Sequence, residues 1–440
     1  MKILILMLVY YVMFICANSF LFKHDRSRII ELVPFLLLLS FSLAFTTIRF
    51  RILGSISSMH IHSTVVLLLM LAVYLFRRKI NLKDPIAYFS ALMLVGVALQ
   101  VFVLRDIFDW PNFTIVFGTY LSIMLIYLMT ASLNKINLNQ VLYNFNYLAI
   151  LNGVLSILQY ITGKTLLIGN LSQSIVYTEG VTNVKRVVGL AGSNNAAGNL
   201  GVLLFCICLY NTVTQKNLFS LFSLGITTVF SLLTLTRIGY LGMLVAFIIV
   251  FIGYDTKESR FPVSKKKIIA GAAGFLALLL IIFHKPIIQK LFIDRGNTSG
   301  ERFKQYINAW NTGVLHHPFS GIGVGQWQSY SYYNFGYVDL PIHSLYYNVL
   351  IENGLLLFIA FLALNVYLII KVIRNTQNRN LKFFYLALGI SSFITVNFNP
   401  DQYYYVPNFI YFFVLLLGYR KTQLIAHRKT VVKGSKHREK

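Results

Sequence analysis

Apolar runs of roughly 17 to 25 residues recur from one end of this 440-residue chain to the other, and that recurrence limits the fold more than any other feature. About 20 apolar residues let an α-helix cross the hydrocarbon core of a bilayer, which is about 30 Å thick. Candidate spans fall at 3–20, 31–48, 60–76, 86–104, 112–131, 142–162, 196–214, 217–234, 238–254, 268–284, 344–371, 381–398 and 405–419. The expected fold class is all-α: a polytopic integral membrane protein of about 12–13 transmembrane helices with one large extracytoplasmic loop. A transmembrane barrel is not expected, because alternating segments of about 10 residues are absent. Composition agrees: 57% of residues are hydrophobic and 12% charged, against about a quarter charged in an ordinary soluble domain.

The formal net charge of +25 would point to nucleic acid in a soluble protein. Here many of the Lys and Arg sit in short loops, at 77–83, 257–267 and 371–382, and in the tail after residue 419. Such segments face the cytoplasm and meet anionic lipid. The lipid bilayer is therefore the first partner expected, no nucleic acid is, and the C-terminus is placed inside. The side of the N-terminus stays open, since Lys23, Arg26 and Arg28 compete with Arg49 and Arg51 on the next loop. Residues 3–20 read as a retained span rather than a cleaved signal, for want of a small-x-small cleavage site. Cys16, Cys206 and Cys208 lie inside apolar runs and read as small core residues.

This orientation leaves two long loops outside, 163–195 and 285–343. The second is rich in Tyr, Trp, Gly and His, too aromatic for disorder, and is expected to fold against the membrane surface. The chain divides on this reading into N-terminal helices 1–162, a region 163–372 containing the loop 285–343, C-terminal helices 373–419 and a basic cytoplasmic tail 420–440.

Polar groups converge on the outer side. In VDLPIHSLYYNVLIENGLLLF (338–358) a loop runs into a long apolar helix, with His343 at the junction and Glu352 inside it. Lys371 follows His343 by 28 residues, about 42 Å of helix. His343 is thus expected near the outer headgroups and Glu352 a turn or two deeper. By the same rise Arg237, in LTLTRIGYLGML, stands about 27 Å from Asp255, and Asn194 and Asn195 about 30 Å from Lys216. An ionisable group at membrane depth is a functional candidate, yet each has a plainer reading. Arg237 also fits a snorkelling arginine, His343 an interfacial cap. Glu352 also fits a structural acid bonded to Asn348 or Asn353, pinning backbone loosened at Asn353–Gly354. GIGVGQW (321–327) looks like a phosphate-cradling loop but lacks the Gly-Lys-Ser/Thr of a P-loop, and tight turns explain its glycines as well. His316 and His317 have no third ligand at a metal spacing, and no Asp-rich cluster suits magnesium, so neither metal nor cofactor is expected.

Four segments together resemble the O-antigen ligase and O-antigen polymerase family of bacterial membrane glycosyltransferases: KRVVGLAGSNNAAGNL, LTLTRIGYLGML, ERFKQYINAWNTGVLHHPFSGIGVGQW and PIHSLYYNVLIENGLLL. Their order and spacing match across roughly 180 to 372, with departures at Thr236, Ile238 and Ser344, where the family has Ser, Gly and Asn. The resemblance implies a catalytic region within 163–372. It implies transfer of a glycan from a polyprenyl-diphosphate-linked oligosaccharide to an acceptor glycan, on the outer face of the bacterial cytoplasmic membrane. A lipid diphosphate is already a good leaving group, so the implied enzyme is metal-independent. Fixed cations would neutralise the developing charge, a task that suits the guanidinium fork.

On that resemblance His343, Arg237 and Arg302 are catalytic, the arginines at the diphosphate and His343 on the acceptor hydroxyl. Arg186, Asn195, Arg295 and Glu352 are expected to bind substrate. Trp310, Trp327, Tyr332 and Tyr333 either stack on sugars or form an interfacial belt. A flippase and a chain-length regulator are the protein partners implied. Polymerase is the preferred subtype, with ligase-type transfer to lipid A core or protein as the alternative. A transporter of lipid-linked sugars is the reading from another class; the inverted repeats and midplane charges that would favour it are not visible.

Overall fold

The computed structural model describes residues 2–23, 25–43, 46–52, 55–76, 83–103, 109–179, 182–215, 217–253 and 298–438. The expected span 268–284, the basic loop 257–267 and Arg295 lie outside the described residues. In chain order the described α-helices are α1 (Lys2–Cys16), α2 (Val33–Ser42), α3 (Ser63–Leu75), α4 (Pro85–Val103), α5 (Trp110–Ala131), α6 (Leu138–Thr162), α7 (Asn194–Gln215), α8 (Leu218–Leu233), α9 (Arg237–Gly253), α10 (Thr298–Ala309), α11 (Trp327–Phe335), α12 (Leu345–Asn375), α13 (Arg379–Val396) and α14 (Tyr405–Arg438). Seven segments among the described residues are long and apolar enough to cross a membrane, and shorter apolar helices accompany them. The protein is an all-α, multi-pass membrane protein.

One expected span is different. Residues 31–48 do not form a single helix: α2 ends at Ser42 and the chain enters an antiparallel hairpin of β1 (Thr46–Ile52) and β2 (Ser55–Ile61). TTIRFRI alternates with a period of two, which places Arg49 and Arg51 on one strand face; a helix would scatter them into lipid.

The chain forms two compact units, each built from separate stretches. The first comprises Met1–Asn144, Ala309–Gln377 and Val396–Lys440; the second, Phe145–Asn308 and Asn378–Thr395. The boundaries cut across the expected region 163–372.

In the first unit α5 is central, packing on α3, α4, β2 and α14, while α12 packs on α4 and α14. Small residues permit these close crossings, as they do in membrane helices generally: Gly118 faces the Tyr405 ring and Gly96 faces Leu357. At one end of the unit the Asp84 carboxylate accepts from Tyr419 Oη (2.9 Å), Ile86 N (3.0 Å) and Gln423 Nε2 (3.1 Å). There Arg420 also donates from Nε (3.1 Å) and Nη2 (3.0 Å) to the Leu133 carbonyl past the end of α5. At the opposite end the hairpin is tied to α5 by His60 N donating to Thr114 Oγ1 (2.9 Å), and the loop 318–327 gathers.

In the second unit α7 is the most enclosed candidate span, 83% buried against 17% for the span that contains α1. It packs on α8 and α9, with Gly198 against Thr236 and Gly242 against Val202 and Thr395. A buried network of Asn146, Asn211, Ser220 and Ser223 joins α6, α7 and α8. The segment after α6 folds back as a hairpin of β3 (Val176–Glu179) and β4 (Thr182–Lys185).

Candidate functional site

Two polar clusters, one in each unit, contain the described candidate residues other than Arg302. The first is built on a break in α12. Gly354 adopts φ 80° and ψ 171°, which interrupts the helix between its second and third turns. A break frees carbonyls that the next turn would have paired, and inside a membrane each needs a new donor. They are met by the glycine loop: Ile322 N donates to Ile351 O (3.0 Å) and Gly323 N to Glu352 O (3.0 Å). Gln100 Nε2, from α4, donates to Asn353 O and to Ser320 O (3.3 Å each), while its Oε1 accepts from Val324 N (2.9 Å). On the far side of the break Leu355 N donates to Pro318 O (2.8 Å).

Glu352, fully buried, anchors this arrangement. Its carboxylate accepts from Gly325 N (3.0 Å), Trp327 N (3.1 Å), Gln402 Nε2 (2.5 Å) and Tyr403 Oη (2.5 Å). The expected partners were Asn348 and Asn353. Asn353 instead donates from Nδ2 to Tyr120 Oη (3.0 Å). The difference follows from the break, which turns the acid toward the loop. Burial first, then the charge of Glu352, pushes the Tyr403 phenol well above its ordinary value, which keeps it a donor. GIGVGQW is therefore no phosphate cradle: the N–H groups of residues 321 to 327 donate within the protein.

His343 stands half-buried immediately before this helix. Ser344 is the N-cap, its Oγ accepting from Tyr347 N (3.3 Å) and donating to Asn397 Oδ1 (3.2 Å). The loop after α13 thus holds α12 at two levels, through Asn397 beside His343 and through Gln402 and Tyr403 at Glu352. Sequence reasoning missed Gln100, Asn397, Gln402 and Tyr403, since a single Gln or Asn at a helix end carries no pattern of its own.

The second cluster surrounds the start of α9. Arg186, 3% exposed, donates from Nε to Thr234 O (3.0 Å) and from Nη2 to Thr236 Oγ1 (3.2 Å). Thr236 Oγ1 also donates to Asn194 O (3.3 Å), so the starts of α7 and α9 meet there. Arg186, Asn195 and Arg237 are accordingly brought into one neighbourhood. Gln159 holds the approach, accepting from Val188 N (3.1 Å) and Gly189 N (2.8 Å) and donating to Gly189 O (3.2 Å) and Thr165 O. Arg302 is half-buried on α10, where its charge lowers a Tyr306 phenol that burial raises more strongly.

Among the aromatic candidates, Trp327 is fully buried, with Nε1 donating to Leu340 O (3.0 Å). It is a core residue of the loop and no sugar platform. Trp310, Tyr332 and Tyr333 are exposed.

Residues 221–362 match the family model described as O-antigen ligase. That stretch contains Arg237, Arg302, His343, Glu352 and the whole of GIGVGQW, while Arg186 and Asn195 precede it. The match supports the resemblance carried by the sequence segments. No curated protein matches the chain.

Proposed function

We propose that this member of the O-antigen ligase and polymerase group, a glycosyltransferase-like membrane enzyme, is a polysaccharide polymerase that uses a polyprenyl-diphosphate-linked glycan as donor. It would work at the outer face of the bacterial cytoplasmic membrane, with its C-terminus inside. The family match over 221–362, which takes in Arg237, Arg302 and His343 together, supports glycan transfer in general, and the choice of polymerase rests on the departures from the family pattern at Thr236, Ile238 and Ser344.

Transfer breaks the bond from the anomeric carbon to the diphosphate oxygen and forms one from that carbon to the acceptor oxygen. The electron pair of the broken bond goes to the lipid diphosphate, and Arg237 and Arg302 neutralise its charge. The acceptor proton goes to His343. Glu352 acts at one remove, by fixing the loop and the helix that His343 precedes. Asn195 and Arg295 are assigned to substrate binding. The ligase description of the matching family favours, as a second reading, transfer of a finished chain to a different acceptor.

The test uses purified protein with a polyprenyl-diphosphate-linked oligosaccharide, no nucleotide and EDTA present, with products read by mass spectrometry. A ladder of lengthened lipid-linked glycans, abolished by Arg237→Ala and by His343→Ala, is expected. Transfer only when lipid A core is added would make the protein a ligase. No transfer to any acceptor, with flipping of the lipid-linked glycan in proteoliposomes, would overturn the enzyme reading in favour of a transporter.

A further inference from the structure

We infer that Arg186 is a positioning residue that sets the turn presenting Arg237, and not itself a ligand of the diphosphate; the inference rests on the proposed role of Arg237. Between α8 and α9 the chain reverses through Thr234, Leu235 and Thr236. Leu235 adopts φ 52°, a left-handed conformation that a side-chain-bearing residue holds only when its surroundings impose it.

Arg186 supplies that constraint from both sides of the strained residue. Its Nε donates to the carbonyl of Thr234, the C-cap of α8, where unpaired carbonyls and the helix dipole favour a cation. Its Nη2 donates to the Thr236 hydroxyl, one residue before Arg237. The backbone adds a third attachment, with Val187 N donating to Leu233 O (3.2 Å). Thr236 in turn is seated against Gly198 and bonded to the Asn194 carbonyl. The Arg186 fork is aimed at protein acceptors and is 3% exposed. A guanidinium so placed governs where Arg237 begins its helix.

A direct ligand and a positioning residue separate in a double-mutant cycle. Binding of glycan-free polyprenyl diphosphate would be measured in detergent for wild type, Arg186→Gln, Arg237→Ala and the double variant. Hydrogen exchange at Val187, Gly239 and Tyr240 would be followed in each, and thermal unfolding would confirm that each folds. Arg186→Gln should weaken binding about tenfold and speed exchange at those amides, yet add nothing in the Arg237→Ala background. Arg186→Lys should recover part of the loss, since an ammonium reaches one acceptor but cannot fork to two. In transfer assays the KM for acceptor should stay unchanged while kcat falls.

Losses that multiply in the double variant would make Arg186 a ligand and overturn the inference. So would unchanged exchange in Arg186→Gln. Should Arg186→Gln fail to fold, Thr236→Val removes the hydroxyl that accepts from Arg186 Nη2 and donates to Asn194 O, and must show the same dependence on Arg237. If wild type binds no polyprenyl diphosphate, the proposed function fails, and exchange alone then decides whether Arg186 sets the turn.

Discussion

The backbones of Gly321 and Gly354 pass so close that each blocks a side chain on the other. A Cβ on Gly321 would lie 2.6 Å from Gly354 N, and a Cβ on Gly354 would lie 2.7 Å from Gly321 N. Both residues also hold positive φ, 68° and 80°. The loop and the broken helix are thus one unit of structure, closed by hydrogen bonds on either side of the contact.

Alanine at either position should therefore be far more damaging than the backbone conformation alone explains. Gly336 provides the reference: its φ is 75° but nothing lies within 4 Å of its Cβ position. Gly336→Ala should cost about 1 kcal/mol, the ordinary penalty for a left-handed residue. Gly354→Ala and Gly321→Ala add a clash with backbone that cannot rotate away, Gly354 adds a backbone region (φ 80°, ψ 171°) that only glycine enters, and each variant should cost more than about 3 kcal/mol. Thermal unfolding of the three variants in one detergent checks the ranking. Equal losses would mean that loop and helix separate easily.

Glu352→Gln keeps the shape of the side chain but reverses half its chemistry. Four donors face the carboxylate: two backbone N–H groups, the Gln402 amide and the Tyr403 hydroxyl. A glutamine offers one oxygen and turns an NH2 toward the remaining donors, so buried groups lose their partners. The expected loss is about 2–4 kcal/mol, accompanied by faster hydrogen exchange at Gly325 and Trp327. Removing one opposing donor, as in Glu352→Gln with Tyr403→Phe, should cost less than the two single losses added together.

How much of this was legible depends on the distance over which each feature is encoded. Apolar runs are local, so most spans lie within a few residues of their expected positions. The 31–48 segment misled because Leu43 and Ile48 extend an apolar run that reads the same in a strand as in a helix. His343 before a helix, Glu352 within it and loosening near Gly354 were readable, because one stretch of sequence holds all three. The partners of Glu352 were not: Gln402 and Tyr403 lie 50 and 51 residues away. Gln100 is 253 residues from Asn353. Trp327 reads in isolation as a sugar platform or part of an interfacial belt; only the folded loop, which places its indole N–H on the Leu340 carbonyl, makes it core.

Gln100 makes that distant encoding testable. It serves three backbone groups of the loop and the break, donating to Ser320 O and Asn353 O and accepting from Val324 N. Gln100→Leu preserves size and apolar fit to the membrane while leaving these groups without their partner. A loss of about 2–4 kcal/mol is expected, large for an exchange that raises hydropathy. Gln100→Glu keeps the acceptor for Val324 but offers oxygen to two carbonyls, and should be no better. An unchanged unfolding temperature for Gln100→Leu would show that water replaces the side chain.

The hairpin at this same end of the unit supplies a pH dependence. His62 caps α3, its Nδ1 accepting from Thr64 N (3.1 Å), and its ring stacks on Tyr405 at 4.9 Å between centroids. Burial pushes its pKa down to about 4, because a charged imidazolium there would lose water. In the unfolded chain the ring titrates near about 6.5. Between those values the unfolded state binds more protons than the folded one, so stability rises with pH across the window. As the pH falls from about 6.5 to 4, His62 should withdraw up to about 3 kcal/mol. His62→Asn retains a capping oxygen for Thr64 N without a titrating ring. The wild-type unfolding temperature should therefore fall more steeply than that of His62→Asn over this range, and the two curves should run parallel above about pH 7. Parallel curves throughout would mean that the imidazole is already solvated enough to hold a proton in the folded protein.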